Sequence, residues 1–108
     1  MPKVFKGNIK VGTISAKFLS DFSNVDPDLL IASYAEASGA NPQTAHEAIA
    51  PGGAASVSIT ATKKGLLDVM VVTGHEEESG RLQVSRNGTI ANDEAIKGPM
   101  EWVYTVIE

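Results

Sequence analysis

Residues 53–73, GAASVSITATKKGLLDVMVVT, decide the fold class. Small or apolar residues alternate with Ser and Thr over residues 55–62, which predicts a strand with one buried and one polar face. The Lys-Lys-Gly sequence at residues 63–65 predicts a turn, because glycine adopts a positive φ at little steric cost. The apolar run 66–73 that follows is interrupted only by Asp68, and it predicts a central strand that is buried on both faces.

The same alternation recurs on both sides of this stretch. It predicts strands over residues 4–11, 13–19, 81–86 and 101–108. Asn87-Gly88 is a strong hairpin-turn signal, and Gly7-Asn8 could fold the first strand into a hairpin of its own. Turns every 8–12 residues or so are typical of antiparallel all-β domains. The sequence therefore predicts a mainly-β fold, a single antiparallel β-sandwich over residues 1–108 that is Ig-like or jelly-roll-like.

The segment between the two strand groups, residues 24–52, supports two interpretations. Asp26-Pro27-Asp28 has the form of a helix start, and it predicts a short helix at about residues 26–39. Asn41-Pro42 repeats that start signal and allows a second helix at residues 42–50. Residues 30–35, however, also alternate as a strand does. An α+β fold with two short helices between strand groups is therefore the alternative.

Part of this segment resembles a DNA-binding motif. Residues 34–49, YAEASGANPQTAHEAI, resemble a helix-turn-helix pattern. In that resemblance Ala35 permits close helix packing, Gly39 occupies the turn, and Asn41 and Thr44 begin the recognition helix. The resemblance implies contacts with base edges in the major groove.

A second resemblance overlaps the first. Residues 41–44, Asn-Pro-Gln-Thr, with Glu47 and Pro51 following, are similar to the β-arm of the histone-like HU proteins, in which a proline wedges between base steps. Affinity for DNA rests largely on Lys and Arg that neutralise phosphates. Residues 18–62 contain neither, which argues against nucleic acid as a partner.

Composition and charge bound the function further. The chain has 108 residues, of which 43% are hydrophobic, and this suits one globular domain. It contains no cysteine, which excludes disulfides, zinc–thiolate sites and cysteine nucleophiles. The net charge of −4 is uneven, because residues 1–17 carry four lysines and no acid, whereas residues 18–108 carry five cations and thirteen anions. The basic first strand is expected to meet an acidic neighbour, within the domain or on another chain.

The sequence contains few residue patterns that indicate catalysis or metal binding. His75, Glu76 and Glu78 are candidate metal ligands on a polar loop, although consecutive residues rarely converge on one ion and a solvated acidic loop is the simpler interpretation. No serine stands in a Gly-x-Ser-x-Gly elbow, and no glycine-rich phosphate loop is present. The sequence therefore predicts a protein that is not an enzyme and needs no cofactor.

The candidate binding residues lie on the two terminal strands. They are Trp102, Tyr104, Lys3, Lys6 and Lys10. If the aromatic face of the last strand points outward, its rings could stack on a sugar or anchor a partner; if it points inward, they belong to the core.

The leading hypothesis is a non-catalytic binding or assembly module that acts through sheet edges or exposed loops, with itself as a homo-oligomer or another protein as partner. The alternatives are a lectin-like sandwich that binds a small ligand or glycan, and a membrane-active sandwich whose lysines approach anionic lipid. The start Met-Pro-Lys lacks the apolar core of a secretory signal, and no run is long enough for a membrane helix, so a cytoplasmic location is the default expectation.

Overall fold

The computed structural model describes residues 3–20, 30–36, 43–50, 53–72 and 79–108. Within these ranges the chain forms strands joined by turns and contains no helix. The strands are β1 (Lys3–Lys10), β2 (Gly12–Ser20), β3 (Leu30–Ala35), β4 (Gln43–Ala48), β5 (Ala54–Ala61), β6 (Gly65–Val72), β7 (Ser79–Arg86), β8 (Thr89–Lys97) and β9 (Met100–Ile107).

The strands form two sheets that pack face to face. The five-stranded sheet has the order β1-β9-β6-β3-β4, and the four-stranded sheet has the order β5-β2-β7-β8. This arrangement confirms the predicted mainly-β sandwich. All strand pairs between described residues are antiparallel except one, because β1 runs parallel to β9. The five-stranded sheet is therefore mixed rather than purely antiparallel.

The core lies between the sheets and follows from the period-two pattern of the sequence. Buried residues alternate with more exposed ones along β2, β5, β6, β7 and β9, so one face of each strand points inward. The largest side chains that are completely enclosed are Phe18, Ile31, Leu67, Leu82, Met100, Val69, Val71, Val84 and Val106. Burial of these side chains is the main favourable term in the free energy of folding.

The chain passes from one sheet to the other between β1 and β2. Gly12 lies at this crossing with a φ of 151°, and a Cβ there would be 2.8 Å from Oδ1 of Asn87. That Asn87 oxygen accepts a hydrogen bond from the Thr13 N–H, and the Arg86 Nε donates to the Val11 carbonyl. Asn87 and Gly88 both have positive φ, as a tight two-residue turn requires, which confirms the hairpin turn predicted there.

The middle of the chain is β rather than helical where the structure describes it. Residues 30–35 form β3 between β6 and β4, and residues 43–48 form β4. The predicted helix at 26–39 and the second at 42–50 are therefore wrong over these residues, and so is the helix-turn-helix interpretation. Pairing on β6 satisfies the backbone groups of β3 and buries Ile31 and Ala35, which outweighs the local helix-start signals.

Two finer predictions also fail. The first strand is not a hairpin, because β1 runs unbroken through Gly7 and Asn8 beside β9. The apolar run is indeed a central strand, β6, but it is not buried on both faces. Its inward residues are enclosed, whereas Leu66, Asp68 and Met70 on the other face are only half-buried.

Gly80 tests how tightly the core is packed. It is buried opposite Ser20, and a Cβ at this position would overlap the Phe18 ring and the Leu19 carbonyl oxygen. We expect Gly80→Ala to lower the free energy of unfolding by about 2 kcal/mol or more, because neither neighbour has room to move. Urea denaturation followed by Trp102 fluorescence measures the change. Gly7→Ala is the control, since its Cβ would meet only the Tyr104 ring at 3.9 Å, and equal losses in the two variants would contradict the prediction.

Candidate binding groove between the edge strands

The two flanks of the sandwich differ. At one flank β5 contacts β3 and β4 across the two sheets, and the Ser20 hydroxyl donates hydrogen bonds to the carbonyls of Ala50 and Gly53. At the other flank a groove of about 260 Å³ separates the edge strands β1 and β8. This flank groove is lined by Phe5, Lys6, Gly7, Asn8, Ala91, Asn92, Trp102 and Tyr104.

The floor of the flank groove is aromatic, and the parallel register of β1 on β9 determines how much of it is covered. Phe5 lies opposite Trp102, with their ring centroids 6.5 Å apart in an edge-to-face arrangement. Trp102 in turn contacts Tyr104 at 6.4 Å. Gly7 lies opposite Tyr104 and adds no side chain beside that ring. A Cβ at Gly7 would meet only the Tyr104 ring, at 3.9 Å, so the groove has room for a side chain there.

The wall contributed by β8 is polar. The β7–β8 ladder contains a bulge between Val84 and Ser85, after which Asn92 pairs with Val84. Val84 points into the core, so Asn92 points toward the sandwich interior as well. The Tyr104 hydroxyl donates a 2.6 Å hydrogen bond to Oδ1 of Asn92. Burial raises the pKa of Tyr104, so this hydroxyl stays protonated as a donor over the physiological pH range.

The structure brings together three of the five predicted binding residues. Trp102 and Tyr104 lie side by side in the groove floor, and Lys6 lies at its rim. Lys10 is on the same strand as Lys6 but is not among the residues that line the groove. The backbone of Lys3 pairs with Met100, and its side chain lies outside the described part of the structure.

Trp102 and Tyr104 face inward, which answers the question that the sequence left open. Only 4% of Trp102 and 3% of Tyr104 is exposed, so both belong to the core and present little of their surface to the groove.

The predicted metal ligands His75, Glu76 and Glu78 lie outside the described residues. Among the residues that are described, no three His, Asp or Glu side chains come close enough together to hold a metal ion.

Sequence reasoning missed the polar wall. The turn predicted at Gly7-Asn8 lies within β1, and the sequence predicts no strand around Asn92. Asn92 instead lies in β8, whose first seven residues are all exposed. An edge strand that is solvated on both faces does not show the alternation that identifies a strand in a sequence. The Asn87-Gly88 turn was the available signal, because a hairpin turn requires a second strand after it.

A pair of carboxylates lies on the outer face of the five-stranded sheet, away from the flank groove. Asp68 on β6 and Glu101 on β9 are neighbours on adjacent strands. Desolvation by burial, a hydrogen bond with Glu101 and the charge of Glu101 together raise the pKa of Asp68 from 3.8 to about 6. Oδ1 of Asp68 is buried without a hydrogen-bond partner among the described residues.

Comparisons of the chain with known protein families, with curated proteins and with solved structures found no match in any of the three. The described residues also contain no helix of the length and apolar character needed to cross a membrane.

The hydrogen bond between Tyr104 and Asn92 joins the two sheets across the groove, and Tyr104→Phe tests its contribution. We expect the variant to lose about 1 kcal/mol of unfolding free energy, because Asn92 is exposed and water replaces the lost partner. Urea denaturation measures the loss, and amide hydrogen exchange should accelerate in β8. Tyr34→Phe is the control, because Tyr34 makes no such bond to the other sheet among the described residues. Unchanged exchange in β8 would contradict the tethering role.

The raised pKa of Asp68 makes the stability of the domain dependent on pH. Its folded pKa exceeds the unfolded value, so the folded state binds the proton more tightly, and the free energy of unfolding falls as pH rises from about 4 to 6. The loss should be about 1 kcal/mol for this half-exposed group. We expect Asp68→Asn to be more stable than the wild type at pH 8 and equally stable at pH 4.

Chemical denaturation at both pH values measures this difference. Glu101→Gln should show a smaller gain of the same sign, because it removes the neighbouring charge but not the desolvation of Asp68. Parallel pH profiles for the wild type and Asp68→Asn would show that Asp68 has an ordinary pKa.

Proposed function

We propose that this protein is a non-catalytic binding module that takes up an extended polypeptide segment at the flank groove, with the segment adding a strand to β1. The observation that carries the proposal is the position of the groove between two strands that each pair on one side only. Within the described part of the chain, β1 pairs only with β9 and β8 only with β7.

The free edge of β1 supplies backbone partners. A strand that pairs on one side leaves alternate N–H and C=O groups available, and an added peptide gains affinity from them. The groove beside this edge gives a side chain of the peptide a place to enter, above the Tyr104 ring at Gly7. Asn92, which faces the sandwich interior, supplies a polar side chain at its β8 wall. Main-chain pairing would thus provide affinity, and the groove would provide selectivity.

The β1 edge suits strand addition better than the β8 edge. β8 carries a bulge, and Glu94, which pairs with the inward-facing Leu82, places a charge on the interior side of that strand. Bulges and inward-pointing charges are features that protect an edge from pairing. β1 continues for eight residues without a bulge or a proline. The proposed segment therefore pairs with β1 and only borders β8.

The geometry favours a polypeptide over a sugar or a membrane. Stacking on a sugar needs an exposed aromatic face, and the rings of Trp102 and Tyr104 are almost completely buried. Binding to anionic lipid would need a basic surface. The lysines of β1 share their sheet with the carboxylates of Asp68 and Glu101, which would oppose such a surface.

Filling the groove tests the proposal. Gly7→Leu places an apolar side chain on the Tyr104 ring without strain, because the Cβ meets only that ring at 3.9 Å and Gly7 does not have a positive φ. Peptides of about nine residues, a length that covers one strand, are selected from a random phage-displayed library on the wild-type protein. We expect Gly7→Leu to weaken binding of the selected peptides by about tenfold or more, since the entry point for the side chain is occupied.

The control is Thr44→Leu, the same residue introduced at an exposed position of the opposite edge strand, β4. It should bind as the wild type does. In the wild type, the amide resonances of β1 should shift most when a selected peptide is added. Failure to select any peptide, or equal affinity in both variants, would overturn the proposal.

A further inference from the structure

The outer faces of the two sheets differ sharply in chemistry. The outer face of the four-stranded sheet carries hydroxyl and charged side chains along its centre, including a 2.8 Å hydrogen bond between Ser15 and Ser58 and an ion pair between Arg81 and Asp93. This is the composition expected of a sheet face in contact with water. The outer face of the five-stranded sheet has a different composition.

The outer face of the five-stranded sheet carries apolar side chains around the carboxylate pair of Asp68 and Glu101. The alternation of β6 and β9 places on it Leu66, Met70, Val72, Val103 and Ile107, and β3 adds Tyr34. Val72 and Ile107 are 38% and 37% exposed, and Val4 on the neighbouring β1 is 50% exposed. A sheet face with exposed apolar side chains of this number marks a contact surface on a small domain.

The charges on this face are arranged so that its two ends complement one another. Lys10 on β1 pairs with Ile107 of β9, at the end of the strands where β9 finishes. Glu101 pairs with Val4 and Met70 near the start of β9, at the opposite end. In the described part of the chain, neither Lys10 nor Glu101 has an oppositely charged partner within 4 Å. Each end thus carries a charge that the other end could neutralise.

The apolar groups also differ between the two ends of this face. A pocket of about 230 Å³ lies at the Glu101 end and is lined by Met70, Val71, Val72, Pro99, Met100 and Glu101. The exposed Ile107 side chain lies at the Lys10 end. One end therefore offers a concave apolar site, and the other offers an apolar side chain that projects.

We propose that two copies of this chain associate through the outer faces of their five-stranded sheets, with β9 of one copy crossing β9 of the other in the antiparallel direction. This twofold arrangement brings Lys10 of each copy to Glu101 of the other and Ile107 to the pocket beside Met70. A self-complementary patch of this kind is what a symmetric dimer requires. Sheets stacked in this way lie about 10 Å apart with interleaved side chains.

The size of the face is sufficient for association. Five strands about 4.8 Å apart and roughly 25 Å long present about 600 Å² on each copy. The pair would bury about 1,200 Å², which is at the lower end of the range for specific complexes. The dimer is therefore expected to dissociate on dilution.

The test is the mass of the full chain in solution, measured by sedimentation equilibrium over a concentration series. The wild type should approach twice its mass of 11.3 kDa as concentration rises. Met70→Glu, in the centre of the apolar face, should remain monomeric. Ser58→Glu, which introduces the same charge on the polar outer face of the other sheet, should dimerise as the wild type does. A wild type that is monomeric at several hundred micromolar would overturn the proposal.

A charge exchange tests the arrangement of the two copies and does not depend on the stability of Met70→Glu. Lys10→Glu and Glu101→Lys should each weaken the dimer by about tenfold, because each creates a contact between like charges. The double variant should return to within about threefold of the wild-type dissociation constant. Single variants without effect, or a double variant weaker than either single one, would exclude this pairing of Lys10 with Glu101.

Discussion

The pairing of β9 with β1 on one side and β6 on the other is the interaction on which the rest of the sandwich depends. It joins the first described strand of the chain to the last, and it places Trp102 and Tyr104 on a strand that is paired on both sides, next to the edge of the five-stranded sheet. Because β1 runs parallel to β9, the two strands cannot be joined by a short turn. The chain instead crosses to the other sheet at β2, and the strands β2 to β8, which are shared between the two sheets, lie in sequence between the two partners.

That pairing also explains why one flank of the sandwich is open. β1 is an edge strand, and β8 is the edge of the opposing sheet at the same flank. The hydrogen bond from Tyr104 to Asn92 joins the sheets there, whereas Gly7 brings no side chain to the Tyr104 ring. The flank groove therefore lies where β1 has a glycine and where β8 contacts β9 through one polar pair.

The two proposed contacts use different surfaces of the same sheet. Strand addition would use the free edge of β1, whereas association of two copies would use the outer face that β6 and β9 dominate. Lys6 and Lys10 of β1 belong to the same sheet as Asp68 and Glu101 of β6 and β9. The closeness of Asp68 to Glu101 costs stability at neutral pH, because Asp68 is ionised while it is partly desolvated.

Much of the fold was predictable because alternation depends only on neighbouring residues. The strands β2, β5, β7 and β9 were predicted close to their observed bounds, and so was the turn at Asn87-Gly88. The local sequence pattern was insufficient for three strands, β3, β4 and β8. β3 and β4 follow local helix-start signals, and only the backbone partners that β6 offers to β3, and β3 to β4, decide that they are strands. β8 is solvated on both faces and lacks the periodic pattern altogether.

The sequence by itself determined the class of fold, the row of Trp102 and Tyr104 on the last strand as a candidate site, and the separation of a basic first strand from an acidic remainder. The tertiary structure alone decided that Trp102 and Tyr104 are core residues, that Asn92 meets Tyr104, and that Asp68 and Glu101 share one face. These facts depend on which strands become neighbours. That choice is made by the combined burial of side chains from distant parts of the chain, and no local pattern records it.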